Sequence, residues 1–263
     1  MRIITASERL AQQRGSTAVI IGPSGVGKTS LLRTVDPETT LFGNIEGGDL
    51  SVFDLAIDQV RPEDWTACRD LACLVGGPNP SYAISAAYSQ AHYEAIGGAP
   101  EALAKYPLVF IDSITAASRL CHRWCEQQPE ALSNKGQKDT RAIYGMLGRE
   151  MMAWLQQLQR GSRNRNVVLV GILEKVTDDF NRDTWQLQID GSKTSRELPG
   201  IVDQVITYQF IDFGDGTPAR ALVCTSPNPW GYPAKDRSGR LSQIEKPHLG
   251  ELIAKLTLTA ATK

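Results

Sequence analysis

Residues 18–21, 108–111 and 166–173 are apolar at almost every position instead of at alternate ones. Such runs predict central strands of a parallel sheet with both faces covered, because a strand with one wet face alternates apolar and polar residues. Between them the pattern turns helical. Residues 141–160 place Met146, Leu147, Met151, Met152, Trp154, Leu155 and Leu158 on one broad face, the stripe of a helix lying on a core. Residues 62–73 read as a helix with Pro62 at its start and Glu63 and Asp64 in its first turn, where they suit the helix dipole. Further helices are predicted over 6–13, 27–34, 89–96, 100–104, 115–127 and 249–256, and further strands over 39–49, 201–210 and 220–224. Asp212-Phe213-Gly214-Asp215-Gly216 supplies a hairpin turn between the last two strands. This alternation predicts an α/β fold: a central, mostly parallel sheet flanked by helices, with antiparallel strands at the C-terminal end.

Composition narrows the class. A chain of 263 residues, 41% hydrophobic and 22% charged, is expected to form one domain with its core over about 16–256. The net charge of −1 carries no general basic field, so any nucleic-acid contact must be local. No segment has the length and apolarity of a membrane span, and residues 1–15 lack the apolar centre of a signal peptide, which leads to the expectation of a cytoplasmic protein. Cys68, Cys73, Cys121, Cys125 and Cys224 are then reduced thiols. Cys68 with Cys73 and Cys121 with Cys125 could in principle gather at a zinc ion, but both pairs lie in amphipathic helical patterns, where cysteine acts as a small buried hydrophobe.

The candidate chemistry begins where the first apolar run stops. Gly22-Pro23-Ser24-Gly25-Val26-Gly27-Lys28-Thr29, followed by Ser30, is a phosphate-binding loop. Its backbone N–H groups cradle a polyphosphate, Lys28 reaches the β- and γ-phosphates, and the Thr29 hydroxyl ligates Mg²⁺. Phe110-Ile111-Asp112-Ser113 has the Walker B pattern, in which Asp112 holds Mg²⁺ through water. Glu46 is expected at the carboxyl end of its strand, the end where open parallel sheets bind ligands. There its carboxylate would orient or deprotonate the water that attacks the γ-phosphate. Glu174 or Lys175, at the end of the 166–173 strand, occupies the place of a residue that senses this phosphate. The ligands expected are therefore ATP and Mg²⁺. Residues 175–197 turn polar, as a ligand loop or a short hairpin around residues 185–189.

The order of these parts resembles the RecA-type ATPase core: phosphate loop, strand ending in Ile45-Glu46, Walker B strand, helix, polar loop, long helix, strand and second polar loop. The resemblance implies a RecA-like P-loop NTPase whose two polar loops, residues 129–140 and 175–197, line a channel for single-stranded DNA. Lys135, Lys138, Arg141, Lys175, Arg182 and Lys193 would be the cations of that channel. Lys235-Asp236-Arg237 is similar to a Lys-x-Arg element that RecA-like relatives insert into the neighbouring subunit's ATP site. It implies a homo-oligomer, ring or filament, in which Lys235 and Arg237 complete catalysis in trans.

More narrowly, the phosphate loop with Ser30-Leu31-Leu32, Gly191-Ser192-Lys193-Thr194 and Asn228-Pro229-Trp230-Gly231 resemble the short ATP-binding proteins of phages and prophages linked to single-strand annealing and recombination. Those act in a bacterial host cytoplasm. Two other readings share the phosphate loop: a small-molecule or nucleoside kinase with Arg182 and Arg196 on a lid, and a nucleotide-gated assembly switch. The Glu46 strand favours hydrolysis over kinase chemistry, since a water-activating carboxylate would waste ATP.

Overall fold

The computed structural model describes residues 3–11, 14–133, 136–177, 181, 183–214 and 216–257. A short helix, α1 (Ala6–Ala11), precedes β1 (Thr17–Gly22), which is buried at all six positions. After the phosphate loop the chain makes two turns of 3-10 helix, Thr29–Thr34, in place of the longer helix expected over 27–34. The strand β2 (Thr40–Asn44) and a short exposed strand β3 (Asp58–Val60) follow. Next come α2 (Trp65–Gly76), capped by Asp64, and α3 (Gln90–Ala95), capped by Ser89. Residues 100–104 form turns and no helix.

The second half opens with β4 (Leu108–Asp112), α4 (Ile114–Glu126) and the long α5 (Thr140–Gly161). Then β5 (Asn166–Thr177) runs four residues beyond its apolar stretch and folds back into β6 (Asp183–Leu187). The hairpin option for residues 185–189 is therefore the one realised. A helix not expected from the sequence, α6 (Ser192–Ile201), leads into β7 (Gln204–Ile211) and its antiparallel partner β8 (Ala219–Val223). Two-residue strands β9 (Lys235–Asp236) and β10 (Ile244–Glu245) edge the sheet, and α7 (Leu249–Thr257) ends the described chain.

The sheet order is β10-β8-β7-β1-β5-β4-β2-β3, and every pair from β7 to β3 is parallel. The antiparallel strands are β8, β9 and β10 near the C-terminal edge, and β6 on the extension of β5. Strand pleating divides the core in two. Val19, Ile21, Val109, Ile111, Val167 and Leu169 pack toward α2, α4, α5 and α6. Their neighbours Ala18, Ile20, Phe110, Val168 and Val170 pack toward the 3-10 helix and α7. Both faces of β1, β4 and β5 are thus covered, which is why those runs are apolar throughout. All five cysteines are free and buried in these cores.

Trp154 on α5 anchors the first core. It is 0% exposed, lies 5.9 Å from the Trp65 ring and donates its indole N–H to the Cys68 carbonyl at 2.9 Å. Trp154→Ala is expected to lower unfolding free energy by about 3–5 kcal/mol through the cavity it leaves. Trp154→Phe, which keeps a ring and loses the N–H, should cost less, about 1–2 kcal/mol. Urea titration compares them; equal losses would place the energy in the hydrogen bond and not in the packing.

Candidate functional site

The phosphate loop leaves the sheet at Gly22, and the backbone shows why that residue is glycine. A Cβ there would lie 2.3 Å from the Tyr208 carbonyl oxygen on β7. Val26 is buried and plugs the loop into the second core, while Ser24 and Gly25 face outward. Lys28 reaches back across the loop and donates to the carbonyls of Gly22 and Pro23, both at 2.9 Å. The amides of Gly25 and Gly27 make no hydrogen bond among the described residues, and a Cβ on Gly25 would meet only open space. Unpaired amides around an ammonium fit a polyphosphate.

Strand β4 delivers Asp112 to the same place. Its carboxylate is 4% exposed and accepts the Thr29 hydroxyl at 2.5 Å. Ser113, not Asp112, caps α4 by accepting the Ala116 amide at 3.1 Å, so the aspartate is left for the site. The Asp112 backbone carbonyl accepts the amides of Ile45 at 2.6 Å and Glu46 at 3.0 Å. Those bonds bring the turn after β2 against β4 and set the Glu46 side chain near enough to Asp112 for its charge to act on the aspartate. Glu46 therefore sits just beyond β2, which ends at Asn44. Asn44, which the sequence pattern did not single out, steadies that turn by accepting the Gly47 amide at 2.8 Å.

The electrostatics follow from burial. Burial pushes the Asp112 carboxyl up to about 6, and Glu46 adds to this, while Thr29 and Lys28 oppose it. Burial also lowers the Lys28 ammonium from its ordinary value, against the pull of Asp112 and Glu46. Lys28, Thr29, Asp112 and Glu46 thus form one interacting cluster. Its oxygen donors suit Mg²⁺, which binds few protein ligands and completes its shell with water and phosphate. Among the described residues no group of three or more His, Cys, Asp or Glu side chains gathers to hold a metal without a nucleotide's help.

A family comparison agrees with this geometry. Residues 14–238 match the model of the AAA domain. The chain belongs to the AAA domain family. It is accordingly an ATPase-type domain that binds nucleotide. No curated protein matches the chain. The AAA match covers β1 with its phosphate loop, β4 with Asp112, and the segment through Arg237.

The remaining predicted site residues lie elsewhere. Lys235 is in β9, which pairs with the start of β7, and β7 in turn pairs Gln204 with Ala18 at the start of β1. Lys235 and Arg237 therefore flank the amino end of the parallel strands, opposite the phosphate loop. Lys235 donates to the carbonyls of Pro199 and Val202 at the end of α6. Arg237 binds the Asp203 carboxylate at 3.0 Å and the Gly200 carbonyl at 3.1 Å.

Of the candidate channel cations, Lys138 pairs with Glu126 at 2.8 Å and Lys175 with Asp183 at 2.5 Å. Arg141 is exposed at the start of α5. Lys135 and Arg182 lie outside the described residues, as does the side chain of Lys193. The expectation of a phosphate sensor at Glu174 or Lys175 needs correction. Strand β5 does not end there; Glu174 accepts Gln186 at 3.0 Å, and both residues belong to the β5–β6 hairpin.

Thr115, also missed from sequence, links that hairpin to Walker B. Its hydroxyl accepts the Ile172 amide at 3.1 Å and donates to the Gln188 carbonyl at 2.9 Å.

Because the folded chain holds the Asp112 proton more tightly than the unfolded chain, this carboxyl favours folding below about pH 4. That contribution is lost as pH rises through about 6, its folded value. Without Mg²⁺, the stability of the wild type relative to Asp112→Asn should fall by up to about 3 kcal/mol between pH 4 and 7. Urea titrations across that range measure it, and a constant difference would mean that Asp112 ionises as an ordinary surface carboxylate.

Proposed function

We propose that this chain is a Mg²⁺-dependent ATP phosphohydrolase of RecA-like construction, acting as an oligomer on single-stranded DNA in recombination or annealing of the phage type. The observation that carries the hydrolase part is the meeting of Lys28, Thr29, Asp112 and Glu46 at one end of the sheet. The loop amides and Lys28 would hold the triphosphate, and Thr29 with Asp112 would hold Mg²⁺. When bound, the metal neutralises charge on the transferring phosphoryl group. Glu46 is exposed yet fixed by its amide to Asp112, so its carboxylate can take a proton from a water at the open side of the loop. Such a base contributes roughly 10²–10⁴-fold. Glu46→Gln should therefore keep ATP affinity within about twofold while hydrolysis falls at least 100-fold. Lys28→Ala should lose ATP binding itself. Equilibrium binding and phosphate release separate the two effects, and a wild-type rate in Glu46→Gln would assign the water to another group.

Support for a DNA role comes from where the polar loops lie. The last β1–β5 pair is Gly22 with Ile172, so the β5–β6 hairpin projects past the same sheet edge as the phosphate loop. Helix α4, which precedes the first polar loop, meets the segment after β6: His122 lies 3.6 Å from Asp190 and its ring is 5.2 Å from that of Tyr144 on α5, and Ser118 accepts the Asp190 amide at 3.2 Å. Thr115 ties the β5–β6 hairpin to the start of α4, the helix that follows Asp112 and Ser113. Ion pairing of Lys138 and Lys175 leaves modest positive charge, in keeping with contacts that are local and salt-sensitive.

Oligomerisation is supported by the place of Arg237. At the far end of the sheet from Lys28, it can contribute to hydrolysis only at another subunit's site. ATPase activity should accordingly rise with single-stranded DNA, and the rise should fade as salt increases. Mixing Arg237→Ala with Lys28→Ala subunits should restore part of the activity at composite sites. No DNA response at any salt would favour the kinase or switch readings, and no restoration at any mixing ratio would remove the trans role.

A further inference from the structure

Arg220 is an exposed residue on β8, in register with Phe210 on β7. Its guanidinium lies 5.3 Å from the centre of the Phe210 ring. The same group rests against the phosphate loop: a Cβ built on Gly27 would lie 3.5 Å from both Cζ and Nη1 of Arg220. Gly27 has φ +99°, a conformation open to glycine, so the loop there presents bare backbone to the arginine. No carboxylate pairs with Arg220 among the described residues. A cation with five N–H donors is therefore held over an aromatic ring, beside the unpaired amides of the loop and with no carboxylate partner among the described residues.

We infer that Arg220 is a nucleotide-binding residue acting in cis, donating to phosphate oxygens of the nucleotide held by the Gly22–Thr29 loop. This rests on the proposed ATP site and adds a contact to it. Phe210 keeps the guanidinium extended over Gly27, and planar N–H pairs suit phosphate oxygens better than a point charge does. The role differs from that of Arg237, which lies at the other end of the sheet and can act only on another subunit's site.

The test measures equilibrium binding of ATP, ADP and inorganic tripolyphosphate by calorimetry, for wild type, Arg220→Ala and Arg220→Lys, alongside thermal melting of each ligand-free protein. Losing a charge-assisted contact should weaken all three ligands by roughly 10- to 100-fold in Arg220→Ala. Arg220→Lys should recover part of this, with the ligand-free melting temperatures unchanged. Wild-type affinities in Arg220→Ala would overturn the inference. So would a loss confined to ATP and ADP with tripolyphosphate unaffected, since that assigns Arg220 to the base. A loss matched by a drop in ligand-free melting temperature and not relieved in Arg220→Lys would make the residue structural, which also overturns it. Failure of the underlying reading is distinguishable, because the wild type itself would then bind no ATP.

Discussion

The hydrogen bond from Thr29 to Asp112 crosses a gap that the sheet itself creates. Strand β5 lies between β1 and β4, so the two acidic and phosphate-binding ends stand two strand spacings apart, about 9.5 Å. A loop leaving β1 must cross the end of β5 before its hydroxyl can reach the aspartate. Gly22 starts that path by letting the loop pass close over Tyr208, and Val26 anchors its middle in the core. Thr29 and Asp112 are thereby brought within 2.5 Å of each other, so that their oxygens can face one metal ion beside the loop. Adjacent strands would leave only one spacing, and a loop of this length would fold over its own aspartate.

Charge sharpens the same geometry. Lys28 is 9% exposed and Asp112 4% exposed, and each suffers from burial in its charged form. Their attraction across the site offsets part of that cost, and the Gly22 and Pro23 carbonyls satisfy the ammonium directly. Glu46 then adds a second carboxyl close to the first. One cation facing two carboxyls is poorly balanced; a divalent metal would offset the carboxyls, while Lys28 and the loop amides would face the polyphosphate. The cluster's imbalance is thus a property of a site built for a charged guest.

Much of this was legible because the informative signals are local. Continuous apolar runs marked β1, β4 and β5, and the spacing of Gly22, Gly27, Lys28 and Thr29 identified the loop without any tertiary knowledge. Other features depend on contacts distant in sequence. Strand β3 is exposed at all three positions and exists through its pairing with β2. Residues 192–197 are polar and Pro199 lies inside the helix, so α6 gave no apolar stripe strong enough to read. The polar end of β5 reads as loop until β6 pairs with it. Arg220 is invisible for the same reason: it reaches Gly27 across β7, from nearly 200 residues away in a chain whose local pattern there says only strand.

Lys235-Asp236-Arg237 is legible as a motif, but its division of labour follows from the fold. Lys235 spends two of its three donors on the end of α6 and is half-buried, which makes it a cap for that helix. Arg237 uses two N–H groups on Asp203 and Gly200 and keeps 47% of its side chain exposed. A guanidinium has five donors, so three remain. Asp203 also accepts the Thr17 amide at 3.1 Å, fixing the arginine to the first residue of β1. The ties on Arg237 therefore orient it without consuming it. A contact with a neighbouring subunit's phosphates would need no bond broken here and would meet a side chain whose entropy is already spent.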